Sequence, residues 1–136
     1  MAKKLRKFFS GYWKTIIVAG IILYASLLRE PRFSLPTLIH GDKWMHMLSY
    51  ALLGAMAWWD STSSGNSGWK RTAIAIVFPI LYGGIIEWLQ ELWFYPRTGD
   101  WIDWAADSIG VLIGCAITIV MYNTTKRNKD DSRMAQ

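Results

Sequence analysis

Apolar residues along the chain fall into four runs, at residues 12–28, 44–59, 72–94 and 101–122, with the charges bunched between them. The first run carries one charge, Lys14, near its start, and from Trp104 onwards the last carries only Asp107. A helix needs about 17–25 mostly apolar residues to cross a hydrocarbon core about 30 Å thick, and both runs have that length. The second run has sixteen residues, which predicts a short or tilted span, and the third is long and contains Glu87 and Glu91. The pattern predicts an all-α polytopic membrane protein. One domain covers residues 1–136, with four transmembrane helices and a frayed cytoplasmic tail over 123–136. A soluble bundle of unusually apolar helices is the competing reading.

The connections differ in character. Residues 61–68, STSSGNSG, have the composition of a flexible linker without chemistry. The segment 29–41 contains Pro31, Pro36 and Gly41 and is expected to be non-helical. The connection 95–100 is short enough to force the third and fourth helices to be antiparallel neighbours. Pro79, inside the third run, removes one backbone hydrogen bond and crowds the preceding turn, so a kink is expected there.

Charge sets the orientation. If four spans alternate, eleven of the fifteen Lys and Arg residues share one side with both termini, and only Arg29, Arg32, Lys43 and Arg97 lie on the other. The positive-inside bias then puts both termini in the cytoplasm. That asymmetry explains the net charge of +5 without nucleic acid. Trp44, Trp88, Trp93, Trp101 and Trp104 would mark the outer interface, and Trp58, Trp59 and Trp69 the inner one. Basic residues before an apolar run also describe a signal peptide. The run is long for one, and Tyr24-Ala25-Ser26 is a poor cleavage site, so a retained first helix is expected. Cys115, the one cysteine, lies within the last run and is expected to be a small packing residue.

In this topology the polar residues converge on one end. Asp42, His46 and Tyr50 recur every four residues and share a stripe, with Lys43 beside them. Gly83, Gly84, Glu87, Gln90 and Glu91 follow helical spacing on the third helix, with the small residues below the polar ones. Asp100, Asp103, Asp107, Gly110 and Gly114 do the same on the fourth, and Gly110 and Gly114 form a GxxxG spacing that permits close helix approach. Ionisable groups within a membrane bundle are costly and by default mark a site. Each also has a plain explanation. Asp100 suits an N-cap, and Asp103 suits the positive end of the helix dipole. Arg97 suits a cation at headgroup level, Lys43 a snorkelling side chain, Glu91 a solvated acid and His46 a satisfied polar residue. Glu87 and Asp107, deeper than the rest, resist such explanations.

Three blocks in order, DKWMHMLSYALLG at 42–54, YGGIIEWLQ at 82–90 and RTGDWIDWAADSIGVLIG at 97–114, resemble the VanZ-like family of small bacterial membrane proteins. The family pattern falls on Lys43, His46, Glu87, Gln90, Arg97, Asp103, Gly110 and Gly114. The chain departs from it at Asp107, where the family usually has Asn, and the exchange adds a carboxyl group. The resemblance implies a cell-envelope role in the bacterial cytoplasmic (inner) membrane. The founding member is linked to low-level resistance to teicoplanin, without helping against vancomycin, and no molecular activity follows.

Two kinds of function fit these residues. One is a site facing the extracytoplasmic side for a membrane lipid or lipid-linked cell-wall precursor, with Lys43 and Arg97 holding a phosphate or carboxylate and Gln90, Asp103 and Asp107 lining it. In a hydrolase or transferase version, His46 and Glu87 would be the acid–base pair. A divalent metal on His46, Glu87, Asp103 and Asp107 suits the ligand types, although the spacing matches no dedicated motif. The other kind is an ion-pair clamp that locks three helices of a partner-binding protein. A transporter is a third, weaker reading, and the GxxxG face could serve a homo-oligomer or internal packing equally well.

Overall fold

The computed structural model describes residues 2–27, 41–93 and 99–134. Within them every element is helical. The elements are α1 (Ala2–Gly11), α2 (Trp13–Leu27), α3 (Gly41–Ser63), α4 (Gly68–Thr72), a π-helical turn over Ala73–Val77, α5 (Phe78–Trp93) and α6 (Trp101–Met134). From α4 to α5 the chain forms one rod, Gly68–Trp93, of 26 residues. This rod and the 34-residue α6 are long and apolar enough to cross a membrane, and α2 is a shorter apolar helix.

Helix boundaries depart from expectation in four places. The basic N-terminus is helical, and α1 meets α2 at Tyr12 through the bonds Tyr12 N–H to Phe8 O (3.0 Å) and Ile16 N–H to Tyr12 O (2.9 Å). The second run is not short: α3 has 23 residues, and its length is about 34 Å at 1.5 Å per residue. It continues past Trp59 because Asp60 and Ser61 are fully buried and packed rather than solvated. The expected free linker is therefore partly helix, and its remainder is tied down. Asn66 donates its amide to the Tyr12 hydroxyl at 2.6 Å, and Gly65 turns the chain at φ 80°. Finally, the tail does not fray within the described residues. After Gly114 there is no Gly or Pro to stop α6, which runs to Met134 with Thr124, Thr125 and Ser132 bonding back to the preceding turn.

Pro79 acts through the backbone it disrupts. It has no N–H for the Ala75 carbonyl four residues earlier, and its ring crowds that carbonyl. The chain widens into the π turn, where the Phe78 N–H reaches back five residues to Ala73 O. Cys115 Sγ approaches the Ala75 carbonyl at 3.4 Å, and the Gly54 carbonyl at 3.5 Å, as a weak donor from α6. Cys115 is thus a buried packing residue, as expected, that also serves a carbonyl freed by proline.

Packing centres on the pair α3 and α6, the most extensive helix contact in the molecule. Glycine is required along this seam. A Cβ on Gly110 would collide with the Met47 carbonyl, and one on Gly114 with the Ala51 carbonyl. From the opposite helix, a Cβ on Gly54 would lie 2.8 Å from the Val111 carbonyl. The GxxxG pair therefore serves contact within the chain. Around the seam, Tyr50, Leu53, Ala57, Ala75, Ile86 and Val111 form the buried core. To it α2 adds Ile22, and two bonds pin α2 to α5: Tyr82 O–H to Ala19 O (2.7 Å) and the Gln90 side-chain Nε2–H to Ser26 O (2.8 Å).

Gly114→Val should lower thermal stability in detergent by more than about 3 kcal/mol, since a branched side chain would push two backbones apart. Gly20→Ala, where no atom lies within 4 Å of the added carbon, should be neutral or stabilising by up to about 1 kcal/mol. Melting curves of the two variants test the contrast.

Candidate functional site

Lys43 and His46 lie one turn apart near the start of α3, and Asp103 and Asp107 one turn apart near the start of α6. With the glycine seam drawing the helices together just below, each side chain meets one opposite. Lys43 Nζ lies 2.6 Å from Asp103 Oδ1 and 3.1 Å from Asp100 Oδ2. His46 Nδ1 lies 3.0 Å from Asp107 Oδ1, and its Nε2 lies 4.0 Å from Asp103 Oδ2. The third wall is Glu87, buried on α5, whose Oε2 accepts the Asp100 N–H at 2.8 Å. Donor atoms of His46, Glu87 and Asp107 all lie within 4.8 Å of one another. The convergence of α3, α5 and α6 expected from the spacing is present.

Asp107 has the most unusual surroundings. It is 1% exposed, and its Oδ2 has no hydrogen-bond partner among the described residues. That oxygen faces α5 at Gly83, where an added Cβ would sit 3.0 Å from it and 3.1 Å from the Tyr50 ring. Gly83 is one turn before Glu87, and its lack of a side chain lets α5 approach the Asp107 carboxyl closely. Gly84 has a different purpose. The indole of Trp104 packs against it and donates to the Ile80 carbonyl at 2.9 Å.

Asp100 combines two roles. Its Oδ1 accepts the Ile102 N–H at 2.8 Å, as an N-cap should, while Oδ2 faces Lys43. The Ile102 N–H, and then the Lys43 ammonium, hold its carboxyl below the ordinary Asp value of 3.8. A lowered folded pKa stabilises the protein above the unfolded value, and this contribution disappears as pH falls through the folded one. The Ile102 amide resonance, followed by NMR from neutral pH into acid, should therefore titrate with a midpoint below 3.8, and Lys43→Met should raise that midpoint.

Several expected site residues fall elsewhere. Gln90 is buried but turned to α2, where its amide holds the Ser26 carbonyl, so it braces the bundle. Glu91 accepts the Gly99 N–H at 3.0 Å on the exposed surface. Gly99 itself lies close over the Glu87 carbonyl, where a Cβ would not fit. Arg97 and His40 lie outside the described residues, as does the side chain of Asp42. Lys43 is no free anion-holding cation, because two carboxylates already share it. For a metal, His46, Glu87 and Asp107 offer a compact donor set, while Asp103 is turned to Lys43.

A second polar cluster escaped the sequence reading. At the other end of α3, Asp60 accepts Lys14 Nζ at 2.9 Å, the Thr15 N–H at 3.0 Å and the Thr15 hydroxyl at 2.9 Å. It holds the start of α2 where the main chain has a donor to spare. Placing Lys14 and Asp60 at the same end of alternating helices was the signal that could have paired them. Nearby, the Arg71 guanidinium lies 4.5 Å from the centre of the Trp58 ring. All three of these bonds join α2 and α3, so this cluster is structural. Asp60→Ala should lower stability by about 2–4 kcal/mol, measured by thermal melting in detergent, because it orphans a buried N–H as well as removing an ion pair.

The fold and cluster define an all-helical protein with two membrane-length helices and ionisable groups buried between helices. No protein-family model, curated protein or solved structure matches the chain.

Proposed function

We propose that this is a four-span protein of the bacterial cytoplasmic membrane, VanZ-like in type, whose α3–α5–α6 cluster binds the headgroup of an envelope lipid or lipid-linked precursor. The spans are α2, α3, the α4–α5 rod and α6, with both termini cytoplasmic and the cluster extracytoplasmic. The polarity of the molecule supports a membrane setting. Ile21, Leu48, Leu81, Ile85, Leu112 and Val120 point outwards, while Glu87, Asp103 and Asp107 are buried between helices. A water-soluble bundle would show the reverse. Basic residues Lys70, Arg71, Lys126 and Arg127 belong to the end opposite the cluster, in keeping with a cytoplasmic assignment.

One observation favours a binding site over a purely structural clamp: the Asp107 carboxyl is almost fully buried with one oxygen unpartnered. A buried polar atom left without a partner costs about 1–3 kcal/mol, and a clamp gains nothing from it. Lys43, shared between Asp100 and Asp103, is the clamp-like part of the cluster. His46, Glu87 and Asp107 are the ligand-facing part. Among the described residues, four carboxyl groups against Lys43 and His46 suit a headgroup that offers hydroxyl or amino donors, such as a sugar, better than a bare phosphate. Envelope roles of the teicoplanin-resistance kind belong to this reading through the family resemblance alone.

Native mass spectrometry of protein extracted in gentle detergent should find a retained lipid or glycolipid. Asp107→Asn and Glu87→Gln should lose it while melting within a few degrees of the parent. If instead both variants lose about 3–5 kcal/mol of stability and the parent retains no envelope molecule, the clamp reading holds.

A further inference from the structure

The geometry points to a divalent transition-metal site, of the zinc or manganese type, formed by His46 Nδ1, Glu87 and Asp107. It rests on the binding reading of this same cluster and names the group that would sit at its centre. The donor set is one imidazole and two carboxylates, a mixture that suits such ions better than the all-oxygen shells of calcium or magnesium. The three residues come from three helices, and their ligand atoms already lie within 4.8 Å of one another. Ligands about 2.0–2.2 Å from a tetrahedral zinc lie roughly 3.3–3.6 Å apart, so closing the shell needs shifts of about an ångström per side chain. No helix has to move.

Two further features fit a metal and are not explained by hydrogen bonding alone. Asp107 is 1% exposed, its Oδ2 has no hydrogen-bond partner among the described residues, and Gly83 carries no side chain that would crowd that oxygen. The surroundings also hold the ligands in place, as outer partners of metal ligands do. His46 presents Nδ1 to Asp107 while Nε2 faces Asp103 at 4.0 Å, and Asp103 is fixed by Lys43 at 2.6 Å. Glu87 is fixed through Oε2 by the Asp100 N–H. Three protein ligands leave a coordination position open, and an oxygen of a headgroup, anionic oxygens included, could take it. A bound dication would also offset the excess of carboxylates among the described residues and widen the ligands the cluster accepts.

The test uses the full chain in detergent micelles, stripped with chelator and then given Zn²⁺ or Co²⁺ alone. We expect one equivalent retained per chain after desalting, a visible Co²⁺ absorption band from an asymmetric nitrogen and oxygen shell, and a higher melting temperature with Zn²⁺. Asp107→Asn and Glu87→Gln, which keep shape and hydrogen bonding, should weaken Zn²⁺ binding at least tenfold. Asp130→Asn, on the exposed end of α6, should not. Retention below a tenth of an equivalent by the parent protein, or equal affinity in the Asp107 and Glu87 variants, would overturn the metal site. If the parent binds no metal yet retains an envelope lipid in native mass spectrometry, the metal assignment fails and the headgroup reading stands. If it binds metal and retains no lipid, the reverse holds.

Discussion

Close contact between the backbones of α3 and α6 underlies the rest of the structure. Gly54, Gly110 and Gly114 let the two helices meet main chain to main chain, where any added carbon would strike a carbonyl. Because a helix repeats its faces every three to four residues, the residues directly above the seam are fixed as neighbours. Lys43 meets Asp103 and His46 meets Asp107 as a direct result. An extra ångström or two between the axes would break these pairs, and in a medium of low dielectric an isolated charge is expensive. The small residues thus set the chemistry of the large ones.

The polar groups of the bundle separate by depth and by company. At the surface end, Lys43 and Asp100 are part-exposed and satisfy each other in a solvated network that includes a helix cap. One turn further in, His46, Glu87 and Asp107 sit with more acceptor capacity than donors to fill it. The upper layer comes from α3 and the start of α6, and α5 joins them in the lower one through Glu87. Mutations in the upper layer should therefore be felt mainly as local loosening, whereas the lower layer is buried between the helices.

Much of this arrangement was readable from spacing. Four apolar runs, the stripe of Lys43 and His46, and the small-over-polar pattern on α5 and α6 all recur in three dimensions, because a 3.6-residue period leaves few ways to bury them. The N-cap at Asp100 was likewise visible from its place after Gly99. Boundaries were less legible. A polar residue such as Asp60 ends a hydropathy run, yet it prolongs the helix when Lys14 and Thr15 meet it from another segment. Gln90 looked like a ligand by its position beside Glu87, but a rotation of about 60° relative to Glu87 around the helix turns it to Ser26. Such partners lie 45 to 64 residues away, and periodicity within one helix carries no record of them.

The two polar clusters grip α3 near opposite ends, about 21 Å apart along its axis between His46 and Asp60. A rod anchored at both tips to different neighbours cannot slide like a piston without breaking one anchor. Any motion that opens the upper layer must instead pivot about the lower grip, with the glycine seam as the bearing.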